Sequence, residues 1–138
     1  MQITPSNRTG RHNLTCFLVE DNPLLRDTLT ATLEEALPLR VVGSAEGESD
    51  ALRWIDTTGV ACDLMVIDLV LKSGSGLEVL RQASAAGSLT KLVVLSNHVS
   101  DAVRQRCMML GADRVFDKAT ELDDLFAWCE QVAAKKRH

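Results

Sequence analysis

Five short apolar runs alternate with five segments of helical period along this chain, and that alternation restricts the fold more than any other feature. The runs are LTCFLV (14–19), LRVVG (39–43), LMVI (64–67), KLVVLS (91–96) and DRVF (113–116). Most are near-continuous in β-favouring apolar side chains, the pattern of strands buried on both faces. Between them the apolar period lengthens. Asn22-Pro23 supplies a helix cap with proline at the first helical position, and Leu25, Leu29, Leu33 and Leu37 follow at four-residue spacing until Pro38. Residues 47–58 put Leu52 and Ile55 inward, with Glu48, Asp50 and Asp56 outward. Leu77, Leu80 and Ala83 or Ser84 mark a third helix ending near Gly87. Val99, Val103, Cys107 and Leu110 mark a fourth, closing at Gly111. The last helix has the cleanest stripe: Leu122, Leu125, Phe126, Cys129, Val132 and Ala133. Strand and helix alternating five times predicts an α/β fold, a parallel sheet covered by helices on both faces.

With 138 residues, 46% hydrophobic and 25% charged, the chain has material for one core and one soluble domain. Residues 14–134 form that domain, residues 1–13 read as a disordered leader and residues 135–138 as a basic tail. No apolar run approaches the roughly 18 residues of a membrane span, and the polar leader lacks the apolar region of a secretory signal. The net charge is −4, and the only basic cluster is KKRH at the end, so no direct nucleic-acid contact is expected. Absence of tyrosine weakens any case for stacking on single-stranded bases. Cys16, Cys62, Cys107 and Cys129 form no CxxC pair and lie mostly among apolar residues. Buried reduced thiols in a cytoplasmic protein follow from that spacing.

In a parallel sheet all strands end on one edge, and ligands bind there, where strand order reverses. Glu20 and Asp21 follow the first run, Asp68 the third, Ser96 closes the fourth, and Lys118 lies just past the fifth. Each alone is an ordinary loop residue, helix cap or surface charge. Together they converge on one edge. Three crowded carboxylates need a cation, and oxygen donors suit Mg²⁺, which takes one or two carboxylates and keeps several waters. Beside such an ion Asp68 can remain ionised though partly desolvated, the state of a carboxylate nucleophile. A phosphoryl group on Asp68 would present oxygens to the cation, Lys118 and Ser96, and phosphoryl transfer needs little beyond such positioning and charge neutralisation.

The segments VEDNPLLRDTL, VIDLVLKSGSGLEVLR, VVLSN and GADRVFDK resemble the receiver domain of two-component response regulators, of the chemotaxis-regulator type. The match in order and spacing extends from residue 14 to about 134. It implies a (βα)5 flavodoxin-like fold with strand order 2-1-3-4-5. It implies that Glu20, Asp21, Asp68 and the backbone carbonyl of Val70 hold Mg²⁺, that Asp68 accepts the phosphoryl group, and that Ser96 and Lys118 contact it. Gly76 matches the glycine of the loop after the phosphoacceptor. A sensor histidine kinase or phosphotransfer protein would be the donor, and a downstream protein target would read the altered surface. The resemblance also implies self-catalysed phosphotransfer and autodephosphorylation instead of turnover of a separate substrate, in a monomer or weak dimer.

Two positions depart from the family pattern. Val115 stands where an aromatic residue is usual, with Phe116 one place later, and Ala119 replaces the proline after the lysine. Neighbouring residues of a strand point to opposite faces. If Val115 faces the switch pocket, Phe116 is a packing residue under a neighbouring helix. A haloacid-dehalogenase-type phosphatase would have a second acid two residues after its nucleophile, where Val70 stands. A nucleotide-binding α/β domain would have a glycine-rich loop after the first strand, and none is present. A degenerate receiver serving only as a binding module is opposed by the complete acid, hydroxyl and lysine set. If the sequence is full length, a stand-alone receiver that signals by contact is expected; if it is part of a longer protein, an output module would lie outside it.

Overall fold

The computed structural model describes residues 14–136. The leader assigned to residues 1–13 and the last two residues of the tail lie outside them. The strands are β1 (Leu14–Val19), β2 (Leu39–Ala45), β3 (Leu64–Ile67), β4 (Lys91–Ser96) and β5 (Arg114–Asp117). The helices are α1 (Pro23–Ala36), α2 (Glu48–Thr58), α3 (Gly76–Ala85), α4 (Asp101–Met109) and α5 (Leu122–Lys136). The sheet is five-stranded and parallel, in the order β2-β1-β3-β4-β5, which is the flavodoxin-like arrangement.

Strand residues alternate between two apolar layers, as a period of two requires. Phe17, Val19, Met65, Ile67, Val94 and Val115 face α2, α3 and α4, where Ile55, Leu80 and Cys107 meet them. Cys16, Leu18, Leu64, Val66, Leu95 and Phe116 face α1 and α5, against Leu29, Leu33, Leu125 and Cys129. Asn22 caps α1 by accepting from the Leu25 N–H at 3.1 Å, with Pro23 in the first turn. Cys16, Cys107 and Cys129 are buried and Cys62 half-buried, all as free thiols. Burial pushes the Cys62 thiol up to about 11 and that of Cys129 to about 12, so neither is poised as a nucleophile.

Several local boundaries differ from the sequence expectation. β2 continues to Ala45 because its pairing with β1 persists to Val19, past a register shift at Cys16/Phe17. β5 begins at Arg114, since Asp113 is occupied in closing the turn. Its carboxylate accepts from Leu92 N–H at 2.7 Å, and its own N–H donates to the Leu92 carbonyl at 2.7 Å. Val99 precedes α4, which Ser100 caps through Val103 N–H at 3.1 Å. Lys135 and Lys136 belong to the last turn of α5.

Candidate functional site

The β-ladder runs past the strand ends and fixes the backbone on which the site is built. Asp68 N–H donates to the Val19 carbonyl at 3.0 Å, Lys118 N–H to the Ser96 carbonyl at 2.9 Å, and Glu20 N–H to the Ala45 carbonyl at 3.0 Å. The four polar strand ends are thereby held in register beside the point where β1 and β3 part the strand order. Glu20, Asp68 and Ser96 are 4%, 7% and 2% exposed, too buried to rely on water for partners. They find partners in one another. Asp68 Oδ1 accepts from Ser96 Oγ at 2.8 Å and from Val70 N–H at 3.1 Å, while Oδ2 accepts from Lys118 Nζ at 2.8 Å. The same ammonium donates to Glu20 Oε1 at 2.7 Å, and Glu20 Oε2 accepts from Asn22 N–H at 3.2 Å.

The electrostatics follow from that crowding. Burial pushes the Glu20 carboxyl above the usual range, against the pull of the Lys118 ammonium and the Asn22 N–H. Burial works against the charge on Lys118. The bonds to Asp68 and Glu20 outweigh it and raise the lysine pKa above its ordinary value. One ammonium faces three carboxylates, because Asp21 joins Glu20 and Asp68: one oxygen of each lies within 4.8 Å of the other two. Such a set of hard oxygen donors, undercompensated by a single lysine, fits a small divalent cation.

The loop between β3 and α3 is clasped from two sides. Asp21 Oδ2 accepts from Lys72 N–H at 2.6 Å, and Glu48 Oε1 accepts from Ser75 N–H at 2.8 Å. Glu48, expected to point outward, is thus turned onto this loop, and its own N–H donates to the Ser73 carbonyl at 3.0 Å. A free loop N–H so close to the first turn of α2 attracts the carboxylate more than solvent does. Gly76 is demanded by close approach. A Cβ there would lie 1.9 Å from the Asp68 carbonyl oxygen. Val70 is 75% exposed beside the site, with its N–H on Asp68.

Glu20, Asp21, Asp68, Ser96 and Lys118, singled out from strand ends, therefore meet in one cluster. Residues not singled out surround them. Arg26 Nη1 donates to the Glu20 carbonyl at 3.1 Å and lies 3.6 Å from Glu46. Asp117, Glu121 and Arg104 form a polar chain beyond Lys118. These contacts mix backbone and side-chain partners, and no residue spacing announces them.

Fold and cluster together define a flavodoxin-like α/β domain with its polar site at the sheet's switch point. The family model of the response regulator receiver domain matches residues 16–130, and the chain belongs to that family. It is 25% identical over 122 residues to the response regulator UvrY of Escherichia coli (strain K12), covering 88% of this chain and 55% of that protein. It is 31% identical over 123 residues to the nitrate/nitrite response regulator protein NarL of the same organism, covering 87% and 55%. The chain thus spans about half the length of these curated relatives. A solved two-component response regulator of the LuxR family, from Aurantimonas sp. SI85-9A1, is similar in fold. Its TM-score is 0.78 at 22% identity, over 88% of this chain and 86% of that one.

Proposed function

We propose that Asp68 is the phosphoacceptor of a two-component signalling pathway. The observation that carries this reading is the pairing of both Asp68 carboxylate oxygens with groups able to rebind to a phosphoryl group, Ser96 Oγ and Lys118 Nζ, beside two further acids. The donor is a phosphohistidine on a sensor kinase or phosphotransfer protein. An Asp68 oxygen attacks phosphorus, the new O–P bond forms as the donor's N–P bond breaks, and the imidazole leaves with its electron pair. Lys118 and Ser96 then meet the oxygens of the transferred group, which neutralises and orients it. Val70 N–H keeps the carboxylate aimed during the approach.

Glu20, Asp21 and Asp68, with the Val70 carbonyl, would hold Mg²⁺. When bound, it supplies positive charge against the phosphoryl oxygens. Water attack on the aspartyl phosphate ends the signal, so the domain catalyses its own loading and unloading and turns over no separate substrate. A downstream protein reads the changed surface. We place the domain in the cytoplasm, as a monomer or weak dimer, with no nucleic-acid contact of its own. No helix among the described residues is long and apolar enough to cross a membrane.

Incubation with acetyl phosphate and Mg²⁺, followed by intact-protein mass spectrometry, tests the reading. One added phosphoryl group is expected on the wild type, and none on Asp68→Asn or in the presence of EDTA. Normal labelling of the variant would refute it.

A further inference from the structure

Asp117 stands between Phe116, buried in the core, and Lys118, which bridges Asp68 and Glu20. Its carboxylate is shared by two loops. Oδ1 accepts from Ala119 N–H at 2.8 Å, directly after Lys118, and Oδ2 accepts from Val99 N–H at 3.3 Å, in the loop that leaves Ser96. The first contact is an ordinary local turn. The second crosses 18 residues of sequence and has no such explanation. His98, just before Val99, has φ 57°, a left-handed backbone uncommon outside glycine, though histidine adopts it more readily than most residues. A strained residue beside a site persists only when its surroundings hold it there. Val99 is held by Asp117, and the Asp117 carboxyl lies below the usual range because the Ala119 and Val99 N–H groups favour its charge.

Asp117 is in turn tied to the helix beyond. Its N–H donates to Glu121 Oε1 at 2.8 Å, and that oxygen also accepts from Arg104 Nη2 at 2.9 Å. Arg104 Nη1 donates to the carbonyl of Val115, the position where an aromatic switch residue is missing. A continuous set of bonds therefore runs from Asp68 through Ser96 and its loop to Asp117, Glu121 and Arg104 on α4.

We propose that Asp117 is a positioning residue that couples Ser96 to helix α4. It holds Val99 while Asp68 is bare and lets go when Ser96 turns to a phosphoryl oxygen. This deepens the assignment of Asp68 as phosphoacceptor and rests on it. Only two residues separate Ser96 from Val99, so a displacement of Ser96 reaches that amide with little slack. The Val99 bond is already at the long end of the hydrogen-bond range, and a further lengthening of about 0.3 Å ends it. The 2.8 Å bond to Ala119, on the strand side, survives the same shift. Loss of the Val99 contact frees the entry to α4, and Arg104 passes the change to the surface it shares with Glu121.

Asp117→Asn separates this role from turn formation. Asparagine keeps one acceptor oxygen for Ala119 and can offer Val99 only an amide NH₂, which repels its N–H. The probe is beryllofluoride with Mg²⁺, added to the uniformly ¹⁵N-labelled full chain. In the wild type the Val99 amide resonance should move upfield on binding, with shifts through residues 101–109. In Asp117→Asn, Val99 should already resonate near its bound position, and the shifts in α4 should be more than halved. Acetyl phosphate should still label Asp68 in that variant. An unmoved Val99 amide in the wild type would overturn the proposal whatever the variant does, and so would a full α4 response in Asp117→Asn. If the wild type neither binds beryllofluoride nor takes up phosphate, the phosphoacceptor assignment fails first and the coupling falls with it.

Discussion

Lys118 stands between two buried carboxylates, so its removal measures how far the site depends on one positive charge. Breaking a buried ion pair on one side leaves the other charge without compensation, at a cost of about 3–5 kcal/mol. Lys118→Ala should lose stability of that order in urea unfolding without divalent cations. Added Mg²⁺ should restore part of it, because a ligand that binds only the folded state stabilises by mass action. A loss insensitive to Mg²⁺ would argue against cation binding by Glu20, Asp21 and Asp68. Gly76 tests a steric demand. Its added Cβ would lie 1.9 Å from the Asp68 carbonyl, so the loop must shift. Gly76→Ala should cost about 2 kcal/mol, read by the same unfolding, and should slow labelling by acetyl phosphate. At this scale the sequence was most informative where chemistry coincides with a strand end: Glu20, Asp21, Asp68, Ser96 and Lys118 are polar residues at or just past the ends of apolar runs. Glu48, Arg104, Asp117 and Glu121 were not legible as site neighbours. Each looks like one more solvated charge on a helix or turn, and the contact that ties it in (Ser75 N–H for Glu48, the Val115 carbonyl for Arg104, Val99 N–H for Asp117, the Arg104 side chain for Glu121) is made only by folding.

Elements are tied together by alternation and by a few polar clasps. Val115 lies in the layer facing α2–α4 and Phe116 in the layer facing α5, as neighbours on one strand must. The Phe116 ring meets Trp128 of α5 at 6.4 Å between centroids, which makes it the packing residue that the pattern Val115-Phe116 implied. Phe116→Ala should cost on the order of 3 kcal/mol, with the beryllofluoride response of the folded fraction retained. A second clasp joins the opposite ends of β1 and β3. Asp63 Oδ2 accepts from Thr15 N–H at 2.8 Å, Thr15 Oγ1 at 3.1 Å and Lys136 Nζ at 2.7 Å. Burial works against its charge, but Lys136 and Thr15 outweigh that and hold its pKa below the ordinary aspartate value. A carboxylate with a depressed folded pKa contributes stability that is present above its unfolded pKa, about 3.9, and is lost as pH falls through the lower folded value. Acid titration of unfolding should show that loss in the wild type, and Asp63→Asn should flatten it. An unchanged pH profile in the variant would remove Asp63 from the account. Helix and strand cores were readable from period alone. Their ends were set by pairing and turn contacts, as with β2 reaching Ala45 and Asp113 closing the entry to β5.

For the whole molecule, the alternation of strand and helix made a parallel, two-faced α/β sheet legible, while the order β2-β1-β3-β4-β5 came from family resemblance. Periodicity says that a strand is buried and is silent on its neighbour. That order is what gives the cluster its meaning, since it sets β1 and β3 side by side and brings Glu20 and Asp21 to Asp68. Two apolar layers anchor the sheet from both faces, leaving the polar strand ends as the part free to respond. The central claim is that one carboxylate at that edge is the covalent acceptor. Borohydride reduces an aspartyl phosphate to homoserine with release of phosphate, leaving ordinary carboxylates untouched. After treatment with acetyl phosphate and Mg²⁺, then borohydride, peptide mass spectrometry should find homoserine at position 68 and at no other acid. An unmodified Asp68, or homoserine at position 20 or 21 instead, would contradict the account.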